Sequence, residues 1–65
     1  MKLTINGKPK EITAANISEV VGQFCTNQKN IITEVNGAIV PSAQWNSTPV
    51  KDGDTIELVS FVGGG

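Results

Sequence analysis

The plainest chemical possibility in this chain lies in its last three residues, Gly63-Gly64-Gly65. Without Cβ atoms they form the thinnest chain a protein can offer, and glycine takes almost any φ and ψ. Such a tail can thread a narrow channel and carry the Gly65 carboxylate to an active site on another protein. A carboxylate is a poor acyl donor until a better leaving group replaces its oxygen. Adenylation by ATP supplies one, and a sulfur nucleophile can then attack a carbonyl that no side chain crowds. The plainer alternative is a frayed terminus, which most domains have.

The remaining residues offer little to a catalyst. The chain has no histidine, tyrosine or arginine and a single cysteine, so no nucleophile–base pair suggests itself. The Asp and Glu residues show no paired spacing and read as a solvated surface. No resident metal or cofactor is expected, and the chain is not expected to be an enzyme. Cys25 falls on the apolar stripe of a helix with no evident basic neighbour, which favours a small core hydrophobe over a reactive thiol. Its replacement by alanine is therefore expected to leave any acyl chemistry at Gly65 intact. Trp45 either caps the core or anchors a partner, and the need of a small fold for apolar mass favours the core. Val59 and Phe61, followed by Val62, precede the glycines. If Ile56 and Leu58 face inward, alternation turns Val59 and Phe61 outward as a docking patch at the base of the tail. The alternative is a last strand covered on both faces.

Length and composition bound the rest. Sixty-five residues make one domain, and five lysines against six acidic residues leave a net charge of −1. No basic stripe is present to displace counterions from nucleic acid. Hydrophobic residues make up 38% of the chain, and seven glycines raise the apolar share further, a globular rather than a disordered composition. A turn at Asn6-Gly7 comes too early for a signal peptide, and no apolar run is long enough to span a bilayer. One unpaired cysteine suits a reducing, cytoplasmic setting.

The elements that must carry the tail can be read from periodicity. Leu3 and Ile5 alternate with Lys2 and Thr4 as in a half-buried strand, and Asn6-Gly7 is a hairpin turn. The hairpin leads to a second strand around residues 8–13, which Pro9 confines to an edge. Ile17, Val20, Val21, Phe24 and Cys25 share one helical stripe. Asn16 is its N-cap, with Glu19 reaching back in a capping-box manner, and Asn27 is a stop signal. Residues 31–35 form a third strand closed by Asn36-Gly37, and the short run Ala38-Ile39-Val40 follows. Residues 42–50 are polar and irregular around Trp45. Asp52-Gly53-Asp54 turns into a last strand over residues 55–61. Strands divided around one helix predict an α+β layer, with a mixed sheet of four to five strands covering the helix. A β-grasp arrangement with the first and last strands central satisfies this order. Residues 1–62 are then the domain and residues 63–65 a flexible glycine tail.

End to end, the chain resembles the ThiS family, sulfur carriers of thiamin thiazole biosynthesis within the ubiquitin-like β-grasp superfamily. The resemblance rests on Met1-Lys2-Leu3-Thr4-Ile5-Asn6-Gly7, the helix beginning near Ile17, and Glu34-Val35-Asn36-Gly37. It rests also on Ile39-Val40-Pro41 with Gln44-Trp45, on Asp52-Gly53-Asp54 with Ile56-Glu57-Leu58, and on the terminal glycines. One departure is Ser42, where family members often place a basic residue after the proline, so a partner contact there is not carried over.

The resemblance implies three partners. An E1-like adenylating enzyme of the ThiF type would use ATP and Mg²⁺ as its own substrates to adenylate Gly65. Sulfur from the persulfide of a cysteine desulfurase would replace AMP and leave a thiocarboxylate. A thiazole synthase of the ThiG type would accept that sulfur, with Gly63 and Gly64 threading the tail into both active sites. The rival readings are a carrier for another pathway, such as the small subunit of molybdopterin synthase, a ubiquitin-like modifier joined to lysines through Gly65, and a plain binding domain.

Overall fold

The computed structural model describes residues 1–25 and 30–60. Phe61, Val62, Gly63, Gly64 and Gly65 lie outside the described residues, as does the stop signal expected at Asn27.

β1 (Lys2–Ile5) and β2 (Lys8–Glu11) form the first hairpin, β3 (Ile31–Val35) and β4 (Ala38–Val40) the second, and β5 (Thr55–Ser60) runs between them. The sheet order is β2-β1-β5-β3-β4, with β1 parallel to β5 and the other pairings antiparallel. The two hairpins share one local cause. Asn6 and Gly7 have φ of 50° and 82°, and Asn36 and Gly37 have 52° and 88°. Two successive positive φ angles define the turn whose twist matches its flanking strands, and Asn-Gly tolerates them best. β2 is an edge strand, as Pro9 requires. It is shorter than expected, since pairing ends where Lys2 meets Glu11.

The helix α1 (Ile17–Phe24) begins at Asn16, whose side chain accepts the Glu19 N–H at 2.9 Å. The Glu19 carboxylate reaches back one residue further than a capping box requires and accepts from the Ala15 N–H at 2.8 Å. Ile17, Val20 and Val21 are buried, while Phe24 is 39% exposed. The sequence stripe thus overstates the buried face. Cys25 already has extended angles (φ −128°, ψ 128°), so helical periodicity ends at Phe24, before the last stripe position.

The core is formed by Leu3 and Ile5 of β1, Ile56 and Leu58 of β5, the helix residues, and Ala14, Trp45 and Val50. Residues expected to be irregular contain a 3₁₀ helix, Ser42–Ser47, which packs on α1. It lowers Trp45 into the core with its Nε1 donating to the Val40 carbonyl at 3.1 Å. Trp45 is therefore a core cap, with its polar edge satisfied as a buried indole requires.

Candidate functional site

The last strand precedes the glycines in the sequence, and its geometry is set from both sides. It is launched by the Asp52-Gly53-Asp54 turn, where Gly53 has φ of 90°. The Asp52 carboxylate accepts the Lys2 N–H at 2.6 Å, and the Asp54 carboxylate accepts the Lys51 N–H at 2.9 Å. Asn36 grips the start of the strand. Its Oδ1 accepts the Thr55 N–H at 2.9 Å, and its Nδ2 donates to the Asp54 carboxylate at 3.0 Å. Asn6 grips the far end, where its Oδ1 accepts the Leu58 N–H at 2.7 Å and its Nδ2 donates to the Leu58 carbonyl at 3.2 Å.

Alternation along β5 divides its residues cleanly. Ile56 and Leu58 point into the core, whereas Val59 is 46% exposed. The open alternative for Val59 is thereby decided: β5 is covered on one face at Ile56 and Leu58, and Ser60, on that same face, is exposed. Val59 stands opposite Ile32 of β3, itself 40% exposed, and Ile39 of β4 on the same face is 66% exposed. Phe61 and Val62, expected to extend this patch, lie outside the described residues, as do Gly63, Gly64 and Gly65.

Two features escaped the sequence reading. Glu34 and Glu57 are direct cross-strand partners in the β3–β5 pairing. Sequence spacing gave no hint of this pair, because only the long-range register brings the two carboxylates together. The second feature concerns Cys25. It is half-buried and packs against the core, as a small hydrophobe would. It also lines an open groove with Lys8, Lys10, Phe24 and Ser60, so basic residues do share its surroundings. The first hairpin brings them there from a distant part of the chain. Among the described residues, no group of three or more His, Cys, Asp or Glu side chains is placed to hold a metal ion. No helix among them is long and apolar enough to cross a membrane.

A mixed five-stranded sheet on one helix, with the first and last strands parallel and adjacent, defines the ubiquitin-like β-grasp class. Within that class the chain belongs to the ThiS family, whose model matches residues 3–65. The crystal structure of a thiamine biosynthesis protein (ThiS) from Geobacter metallireducens is 36% identical, with each chain covered over 100% of its length and a TM-score of 0.82. An NMR structure of a thiamine biosynthesis protein from the same organism gives a TM-score of 0.80, covering 100% of this chain and 88% of the other. Among curated relatives, a thiazole synthase from Paramagnetospirillum magneticum is 35% identical over 66 residues. All of this chain takes part in that match, but it spans only 20% of the synthase's length. A Porphyra purpurea protein designated ycf40 is 27% identical, covering 100% of this chain and 93% of its own length.

Proposed function

We propose that this chain is a sulfur carrier in thiamin biosynthesis and that Gly65 is the residue that carries the sulfur. The observation that carries the reading is the ThiS-family match, which runs through the three glycines to Gly65. An E1-like adenylating enzyme of the ThiF type consumes ATP with Mg²⁺, joins AMP to the Gly65 carboxylate and releases pyrophosphate. A persulfide, formed by a cysteine desulfurase, then attacks the acyl carbon. The new C–S bond forms as the C–O bond to AMP breaks. A thiol reductant cleaves the resulting acyl disulfide, leaving a thiocarboxylate on Gly65 and a disulfide elsewhere. Gly63 and Gly64 let the tail enter the partner's active site, and Val59, with Phe61 and Val62 beyond it, forms the apolar docking surface at its base. The chain itself performs no catalysis in this scheme.

Thiazole synthase of the ThiG type is the proposed acceptor. The relative named thiazole synthase contains, in one chain, a stretch similar to this whole sequence. Joining two proteins raises their effective concentration for each other, which suits a carrier and the enzyme it serves. A cytoplasmic setting, where ATP and reduced thiols coexist, fits the same scheme.

The test is an intact mass after incubation with ATP, Mg²⁺, a ThiF-type enzyme and a persulfide source. The expected result is a gain matching one oxygen exchanged for sulfur, localised to Gly65 by fragmentation. No gain, with the enzymes shown to be competent on another carrier, overturns the reading.

A further inference from the structure

The structure assigns to Asn6 a role beyond its turn: we propose that its carboxamide is the positioning group that fixes the root of the glycine tail. This rests on the carrier reading above. Along the β1 edge of β5, the Thr4 N–H donates to the Asp54 carbonyl and the Asn6 N–H to the Ile56 carbonyl, each at 3.0 Å. The next groups on that edge are the N–H and carbonyl of Leu58. By then β1 has turned away, because Asn6 at φ 50° and Gly7 at φ 82° lead into β2. The Asn6 side chain takes the place of the missing strand. Its Oδ1 accepts from the Leu58 N–H and its Nδ2 donates to the Leu58 carbonyl, at 2.7 and 3.2 Å. A primary amide carries the same donor and acceptor as a peptide unit, so the parallel ladder continues for one more step without backbone.

That step falls two residues before Ser60, the last described residue of β5. Without it, Val59 and Ser60 would be held only through β3, by the Ile32–Val59 and Ile31–Ser60 pairings. The five residues from Phe61 to Gly65 reach at most about 17 Å when fully extended. With Gly65 as the residue acted on, as the carrier reading has it, that reach leaves little slack to correct a misplaced root. A partner docked on the outer face around Val59 therefore finds the tail only if Leu58 and Ser60 keep their place beneath it.

Asn36 provides a matched control. It has nearly the same φ, 52°, and precedes Gly37 in an equivalent turn, but its amide grips Thr55 at the opposite end of β5. Asn6→Gly and Asn36→Gly each preserve the tolerance for positive φ and remove the amide. Adenylation kinetics are measured with a ThiF-type enzyme at temperatures where both variants are equally folded, and amide hydrogen exchange is followed at Leu58. For Asn6→Gly the expected result is about a tenfold fall in kcat with KM little changed, together with about tenfold faster exchange at Leu58. Asn36→Gly should show neither. Equal kcat in the two variants, or unchanged Leu58 exchange in Asn6→Gly, overturns the proposal. If Asn6→Gly does not fold, Asn6→Asp is read by kcat alone: it keeps an acceptor for the Leu58 N–H but sets a carboxylate oxygen against the Leu58 carbonyl, so kcat should again fall relative to Asn36→Gly, and an equal kcat overturns the proposal. If the wild-type chain is never adenylated, the carrier reading fails instead, and Leu58 exchange still reports on the anchoring.

Discussion

The two faces of the sheet are built from the same residue types and do different work. On the inner face, Leu3, Ile56 and Thr33 are fully buried, with Leu58 beside them. On the outer face, Ile32, Ile39 and Val59 are left in contact with solvent around the Glu34–Glu57 pair. Scattered exposed hydrophobics are ordinary, but Ile32 and Val59 are adjacent by register near the described end of β5. The inner face makes the fold. The outer face is spared from that task, and its apolar side chains are the surface proposed above for docking.

The contrast can be broken or sharpened by substitutions on each face. The largest effect on stability belongs to the centre of the inner face. Ile56→Ala should destabilise the domain by about 2–5 kcal/mol, as buried large-to-small changes do, measured by urea denaturation. A loss below about 1 kcal/mol would mean that β5 is not the centre of the core. Val59→Asp on the opposite face should cost only about 1 kcal/mol, from the poorer strand propensity of Asp and its closeness to Glu34 and Glu57. It should nevertheless raise KM for the adenylating enzyme about tenfold, as loss of an apolar interface contact would. An unchanged KM would separate the patch from docking.

Thr33 tests the inner face from the other direction. Its hydroxyl is fully buried and has no hydrogen-bond partner among the described residues. Thr33→Val keeps the shape and removes an unsatisfied polar group, so it should stabilise by about 1 kcal/mol in thermal or denaturant unfolding. The smallest change belongs to the carboxylate pair. Like charges directly across a sheet repel, so Glu57→Gln should stabilise by a few tenths of a kcal/mol at low salt. That gain should shrink as salt is added, and its absence would show that solvent already screens the pair.

Much of this arrangement is legible in the sequence. Alternation in residues 2–6 and 55–61 marks two strands and puts Leu3 with Ile5, and Ile56 with Leu58, on single faces, which the structure shows to be the inner ones, and the Asn-Gly dipeptides mark both hairpins. These are local signals: a period of two and a demand for positive φ. The segment around Trp45 was less legible, because a 3₁₀ helix of six residues has no apolar repeat to announce it. Its formation depends on a tertiary contact, the burial of a single indole. The Glu34–Glu57 pair and the grip of Asn6 on Leu58 were hidden for a related reason. The two glutamates meet through register, and Asn6 meets a residue 52 positions away. For the candidate site, alternation put Val59 opposite Ile56 and Leu58, but whether its face is covered depended on long-range packing that the sequence does not show. The chemistry at Gly65 was suggested by the glycines and by family resemblance, not by any local pattern of acids and bases.

The pairing of β1 with β5 has a consequence for how the protein comes to exist. Thr4 and Ile5 find their partners in Thr55 and Ile56, so the central seam joins opposite ends of the chain. A growing polypeptide cannot close that seam until β5 has been synthesised, and such distant contacts are slow to form because a long loop must close first. A product of interrupted translation that lacks β5 would miss the middle of the core, the Val59 surface and the glycines together. Incomplete copies would therefore lose at one stroke both the fold and the residues that the proposed carrier role requires.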